Sequence, residues 1–315
     1  MYENIINDEN RTKTARVIAL LELGLSRTEI ANFRVLGAYG AIQNIYAKWQ
    51  AGRSGITPTR LILPPARFAP TIFNRKFGVE IEAFGIDSQK VAREISAAGV
   101  PCFKEGYNHA TRNHWKVVLD SSIKGEKSFE LVSPILEGEN GLEQVRIVCA
   151  VLIRLRANVN KSCGMHIHFD AANLDLKNWK NLILNYANLE DVIDSMMPIG
   201  RRGDANTYCM TMKIDNLANE LDLAQTIEGV VGIFPNRFRK LNTQAYSRHK
   251  TVEFRQHSGT IEAQKIVNWI TFLHNLATYS EKHLIGEGVV FEDLQKFNQP
   301  AIVDFYHNRI QDLNC

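Results

Sequence analysis

Residues 75–84 read RKFGVEIEAF. Phe77, Val79 and Ile81 alternate with Gly78, Glu80 and Glu82, so a β-strand here puts both carboxylates on one face and the apolar side chains on the other. The pattern returns twice. CGMHIHFD, residues 163–170, pairs His166 with His168, and KTVEFRQHSGT, residues 250–260, pairs Glu253 with Arg255. Surface ion pairs on one edge strand would account for a single such stretch. Three apolar strands that each carry a polar pair ask for a bound partner, because an unpaired buried charge is costly. A metal and an anion together supply that partner, so the chain reads as an enzyme.

The segments around these strands set the fold class. Helical periodicity marks SQKVAREISAAG, GLEQVRIVCAVLIRLRAN, LKNWKNLILNYANLEDVIDSMM and EAQKIVNWITFLHNLATYSEKH, while HWKVVLDSS and KSFELVSP read as further strands. Strands follow one another in places instead of alternating strictly with helices. This predicts an α+β domain with a mostly antiparallel sheet flanked by helices. No strand runs into GxGxxG and no GxxxxGK[ST] occurs, so a nucleotide would be held by neither of those phosphate loops.

A different unit precedes this body. Over residues 1–52, RTKTARVIALLEL ends at Gly24, Ser26 with Glu29 forms a capping-box signature, and a third helix runs from about Tyr39 to Trp49. This predicts a small all-α, helix-turn-helix-like domain, whose third helix would offer Gln43, Asn44 and Lys48 to a DNA major groove or pack against a protein. Pro58, Pro64, Pro65 and Pro70 suggest a linker over 53–73, leaving 74–315 as the catalytic body. Residues 1–76 carry 11 Lys and Arg against 5 Asp and Glu, and the remainder 26 against 29. A basic head on a mildly acidic body fits two units with different partners.

Across 315 residues, 45% hydrophobic and 23% charged content is that of a globular protein. Five cysteines without CxxC spacing fit reduced thiols. The polar N-terminus lacks a signal-like apolar core, and no apolar run reaches the roughly 18 residues of a membrane span, so the expected location is cytoplasmic, with no membrane partner.

Glu80, Glu82, Glu130 and Glu253 supply oxygen ligands for a hard divalent cation, and His166 adds an imidazole that Mn2+ accepts more readily than Mg2+. Four carboxylates in one site repel strongly, and two ions would relieve them. Arg255 shares a face with Glu253 and would stabilise charge on a transferring phosphoryl group. These parts suit phosphoryl transfer from ATP to a carboxylate, followed by attack of an amine. Cys163 beside His166 raises two other readings, zinc and a thiol nucleophile. The first lacks a second cysteine pair, and neither explains the acidic cluster. Asp120 fits either an outer carboxylate or a substrate contact.

The ordered stretches FGVEIE, LDSS…FELVSPIL, NKSCGMHIHFD, MPIGRRGDANTYC and HKTVEFRQHSGT resemble the amidoligase family, related to glutamine synthetase and glutamate–cysteine ligase, over about residues 73–280. The resemblance implies an ATP-dependent carboxylate–amine ligase with two Mg2+ or Mn2+ ions on the concave face of a curved, glutamine-synthetase-like antiparallel sheet. It implies metal ligation by Glu80, Glu82, His166 and Glu253, a similar role for Glu130, and phosphate contact by Arg255. Arg201, Arg202 and Asn206 match the substrate end, where Arg201 or Arg202 would hold a carboxylate. Beside the resemblance, His168 is read as a contact to nucleotide, substrate or a neighbouring backbone group, and Arg248 as a nucleotide contact. Small-molecule or peptide acids and amines are the implied substrates, and such synthetases can form homo-oligomers. The competing expectation is a regulatory protein, its head on DNA, whose ligase-like body senses nucleotide or peptide without turnover.

Overall fold

The computed structural model describes residues 2–8, 11–53 and 75–314. Apart from Arg53, the expected linker lies outside the described residues. The chain forms two compact units: Met1–Arg60 with His307–Cys315, and Leu61–Tyr306.

In the first unit, helices Lys13–Glu22, Arg27–Asn32 and Tyr39–Arg53 enclose Val17, Leu20, Ile30, Leu36 and Ile42. Their boundaries follow local chemistry. The Thr12 hydroxyl accepts from the Ala15 N–H at the first helix start. Gly24 takes φ +89 just past that helix, a conformation that a Cβ disfavours. Ser26 and Glu29 close a reciprocal capping box. Arg27 donates to the Gln43 side-chain oxygen at 2.6 Å and pairs with Asp312 at 3.5 Å. Asn44 and Lys48 are exposed.

The second unit is a mixed α/β body on a seven-stranded sheet. In chain order the strands are β1 Phe77–Ala83, β2 Cys102–Lys104, β3 Trp115–Val118, β4 Phe129–Val132, β5 Met165–Asp170, β6 Leu241–Asn242 and β7 Thr251–Phe254. Their spatial order is β2-β3-β4-β1-β5-β7-β6, antiparallel throughout except between β2 and β3. The three strands with polar pairs, β1, β5 and β7, are contiguous. Their other face is fully apolar: Phe169 on β5 lies between Phe77 on β1 and Phe254 on β7, with ring centroids 6.5 and 6.0 Å away.

Helices Ser88–Ala97, Gly138–Arg154, Leu176–Ser195 and Ala263–Ser280 supply the rest of this core. Leu142, Val145, Val148, Cys149 and Leu152 recur at helical spacing and are buried, forming one face of the second of them. Asp175 and Asn178 cap the third reciprocally. These elements lie where the sequence placed them. Strands β2 and β6 were not anticipated, since three and two residues are too few to show alternation. Arg248 and His249 fall in a short helix, Ala245–His249, ended by Lys250 at φ 56, so the last core strand starts only at Thr251.

Candidate active site

Register assembles the site. Glu82 on β1 lies opposite Glu130 on β4, and Glu80 opposite His166 on β5. Gly78 faces His168, which faces Glu253 on β7, which faces Asn242 on β6. Period-two alternation turns all these side chains to one side of the sheet.

The contacts are dense. His166 Nδ1 lies 3.0 Å from Glu80 Oε2 and 3.5 Å from Glu253 Oε1, and His166 Nε2 lies 3.7 Å from Glu82 Oε1. His168 Nε2 lies 3.5 Å from Glu80 Oε1, and its Nδ1 meets the Thr251 hydroxyl at 3.0 Å. The Gly164 N–H donates to Glu82 Oε2 at 2.6 Å. Arg255 pairs with Glu253 and donates from Nε to the Tyr208 carbonyl at 3.3 Å. The Asn242 amide donates to Glu253 Oε2 at 2.5 Å and so fixes that carboxylate.

Charge is unevenly compensated. Burial favours the neutral form of Glu80, yet hydrogen bonds from His166 and His168 hold its carboxyl well below the usual range. Burial likewise opposes ionisation of Glu253, and the Arg255 guanidinium with the two imidazoles outweighs it, leaving that carboxyl below the usual range. Among the described residues Glu130 has no hydrogen-bonded or ion-paired cation of this kind. Burial first, then the charges of Glu80 and Glu82, push it well above the carboxylate range. Burial lowers His168, but Glu253 and Glu80 reverse the sign and favour its protonated form.

The donors fall into three groups whose ligand atoms lie within 4.8 Å of one another: Glu80–His168–Glu253, Glu80–Glu130–His166 and Glu82–Asp120–Glu130. Carboxylate and imidazole donors suit Mg2+ or Mn2+. Both histidines can therefore serve a cation, one in each of the first two groups. All seven residues floor or flank a cleft of about 1450 Å3, ample for a nucleotide and a second substrate.

A family model described as putative amidoligase enzyme matches residues 73–277. The chain belongs to the amidoligase family. Among curated proteins none matches it.

The other expected site residues of this amidoligase divide. Asp120, Arg201, Asn206 and Arg248 line the cleft, and Arg202 is not among the lining residues. Arg201 is buried and donates to the Cys163 carbonyl at 2.6 Å, so much of its fork is committed to holding the backbone beside Gly164. Arg202 donates from Nε to the Met197 carbonyl at 2.8 Å. Asn206 closes a turn by accepting the Tyr208 N–H at 2.8 Å.

Sequence reading missed Thr251, Lys116, His109, Arg237 and His249. Thr251 sits two residues before Glu253, so strand alternation alone could have found it. Lys116 precedes Asp120 by four residues on an extended segment and was open to the same reading. Gly164 is also required: a Cβ there would come within 2.8 Å of His166 Nε2, where the ring is packed between Glu80 and Glu82.

The uncompensated Glu130 yields a signed prediction for the metal-free protein. A carboxyl raised in the fold contributes stability below its unfolded value, about 4.3, and loses it as pH rises through the folded value. Glu130→Gln removes that loss. In EDTA at pH 8 the variant should melt higher than wild type, by roughly 2–4 °C, the shift of about 1 kcal/mol in a domain this size. The advantage should shrink by pH 5; added Mn2+ is expected to raise the melting point of wild type and not that of the variant. Thermal melts with and without Mn2+ measure both. A lower melting point than wild type at pH 8 in EDTA would contradict the assignment of Glu130 as an unpaired carboxylate.

Proposed function

We propose that this amidoligase is an ATP- and divalent-metal-dependent carboxylate–amine ligase working through an acyl phosphate, on a sheet of glutamine-synthetase-like type. The observation that carries this reading is the convergence of three ligand-capable groups and Arg255 in one cleft. The two groups without a common member, Glu80–His168–Glu253 and Glu82–Asp120–Glu130, would each hold one ion, with His166 between them in the overlapping third. Bound there, Mg2+ or Mn2+ would neutralise the carboxylates and polarise the phosphate being transferred.

The protein's own groups do the rest. Glu253 and the Tyr208 carbonyl hold the Arg255 guanidinium in the cleft, where it stabilises charge on the equatorial oxygens of the γ-phosphoryl group. Asn242 and Thr251 fix Glu253 and His168, so little reorganisation is needed when ligands arrive. A substrate carboxylate oxygen attacks the γ-phosphorus and ADP departs. The amine then attacks the acyl carbon, phosphate leaves, and the amine proton passes to solvent or to phosphate.

Calorimetry with a non-hydrolysable ATP analogue, with and without Mg2+, tests this reading on wild type and Glu253→Gln. Wild type should bind only with Mg2+, and the variant at least tenfold more weakly. A well-folded wild type that ignores the analogue in Mg2+ would remove the ligase reading.

A further inference from the structure

The cleft has two cationic ends. At one, the Lys124 backbone N–H meets the Ser162 hydroxyl at 2.8 Å, so Lys124 and the neighbouring Lys161 flank the strand entry at Gly164, whose N–H holds Glu82. This is the end of the Glu82–Asp120–Glu130 group. At the other end stand Arg237, Arg248, His109 and His249. The His249 ring lies 6.2 Å from that of His168, beside the Glu80–His168–Glu253 group.

His109 is held in place. The buried Lys116 ammonium donates to the Asn108 carbonyl, the Asn108 side-chain oxygen and the Ala110 carbonyl at 2.8–3.0 Å, fixing the residues on both sides of it. The Arg237 guanidinium lies 5.3 Å from the Phe238 ring, which packs edge-on against Tyr208, the residue whose carbonyl accepts from Arg255. Among the described residues, none of Arg237, Arg248, His109 and His249 has a carboxylate partner within ion-pair distance, whereas Arg255 beside them does. Burial, and after it the charges of Arg248 and Arg237, favour neutral His109, a sign that the arginines gather near it. The two arginine charges, collected in a cleft without a counter-ion beside two imidazoles that can donate from a ring N–H, make an anion subsite.

The two ends differ in chemistry. Lysine is a point charge that suits phosphate oxygens, and beside a divalent-ion group it suits a polyphosphate. Arginine's planar fork matches a carboxylate or a phosphate with two parallel hydrogen bonds, and with the polyphosphate at the lysine end the carboxylate is left for the arginine end. Phosphoryl transfer also brings its two anions to the centre from opposite sides.

Resting on the ligase reading above, we infer that Arg237 and Arg248, with His109 and His249, bind a second carboxylate of the acid substrate. That acid is then a dicarboxylate or an acidic peptide: one carboxylate is activated beside Arg255 and the other is held at the arginine end. The nucleotide phosphates take the lysine end.

The test is calorimetry on the full chain in Mg2+ with saturating ATP analogue, titrating glutarate, an Asp-Asp-Asp peptide and, for comparison, butyrate. Both arginines are exposed, so Arg237→Gln/Arg248→Gln should fold as wild type. Glutarate or the tripeptide should bind wild type at least tenfold more tightly than butyrate. The double variant should lose at least tenfold of that affinity and keep analogue affinity within threefold. Lys124→Gln/Lys161→Gln should show the reverse. If wild type binds the analogue but neither multi-carboxylate probe, the subsite assignment fails and the ligase reading stands. If the arginine variant weakens the analogue as much as the acid, those arginines serve phosphate and the assignment is overturned. If folded wild type does not bind the analogue at all, the ligase reading fails and takes the subsite with it.

Discussion

Lys240→Ala is expected to destabilise the body by roughly 3–5 kcal/mol, the cost of leaving buried charges without their partner. Lys240 is fully buried, and its ammonium lies 2.8 Å from Glu190 Oε1 and 2.6 Å from Asp194 Oδ1. Both carboxylates project from the helix Leu176–Ser195 and hold more than the lysine. Glu190 accepts the Met212 N–H, and Asp194 accepts the Gly203 N–H, each at 2.6 Å, so the segment that carries Arg201, Asn206 and Tyr208 hangs from these two side chains. The main chain of Lys240 accepts the Arg255 N–H at 2.8 Å. Loss of the ammonium should therefore lower the melting point by on the order of 10 °C. It should also speed amide exchange at Gly203 and Met212 more than in β1. Chemical denaturation and hydrogen exchange measure the two effects. A loss under about 1 kcal/mol would mean that the ion triad is not what fastens this segment.

Arg255→Lys is expected to lower turnover about 10³-fold while leaving metal-dependent nucleotide binding within about threefold. The charge survives, so Glu253 keeps a cationic neighbour and the fold is spared. The planar fork that spans Glu253 and the Tyr208 carbonyl is lost. Groups that act only on charge developing in the transition state affect rate far more than affinity, and removing one costs about 10²–10³, or more for an arginine on a phosphoryl group. The assay is ADP release together with hydroxamate formation when hydroxylamine replaces the amine and a carboxylic acid is supplied. Equal losses in binding and rate would recast Arg255 as a ground-state anchor.

How much of this was legible beforehand differs by residue. Glu80, Glu82, His166, His168, Glu253 and Arg255 were readable because each pair sits at i and i+2 in an apolar strand. Asp120 and Glu130 were readable as carboxylates of neighbouring strands, although nothing in the sequence put both within reach of Glu82. Arg201 and Arg202 were read together as residues of the substrate end, and the structure separates them: one lines the cleft with its guanidinium on a backbone carbonyl, and the other donates to Met197 and does not line the cleft. Neither partner lies at a spacing that a sequence reveals.

By itself the sequence did not reveal the helices Leu217–Leu223, Ile227–Gly232, Ala245–His249 and Pro300–Asn314. It determined the helices that period and caps marked, the five longer strands, and which face of each strand is polar. Those follow from periods of 3.6 and 2, from caps, and from glycine at positive φ, all interactions within a few residues. The tertiary structure alone decided that β1, β5 and β7 are neighbours, that Glu82 faces Glu130 while Glu80 faces His166, and that β2 and β6 exist at all. It also decided that Lys240 would be buried against Glu190 and Asp194, and that Arg237 and Arg248 would stand without a carboxylate partner among the described residues. Such pairings join residues from about ten to about ninety positions apart. Register and burial across that distance are set by the packing of whole faces, and local pattern carries no trace of them.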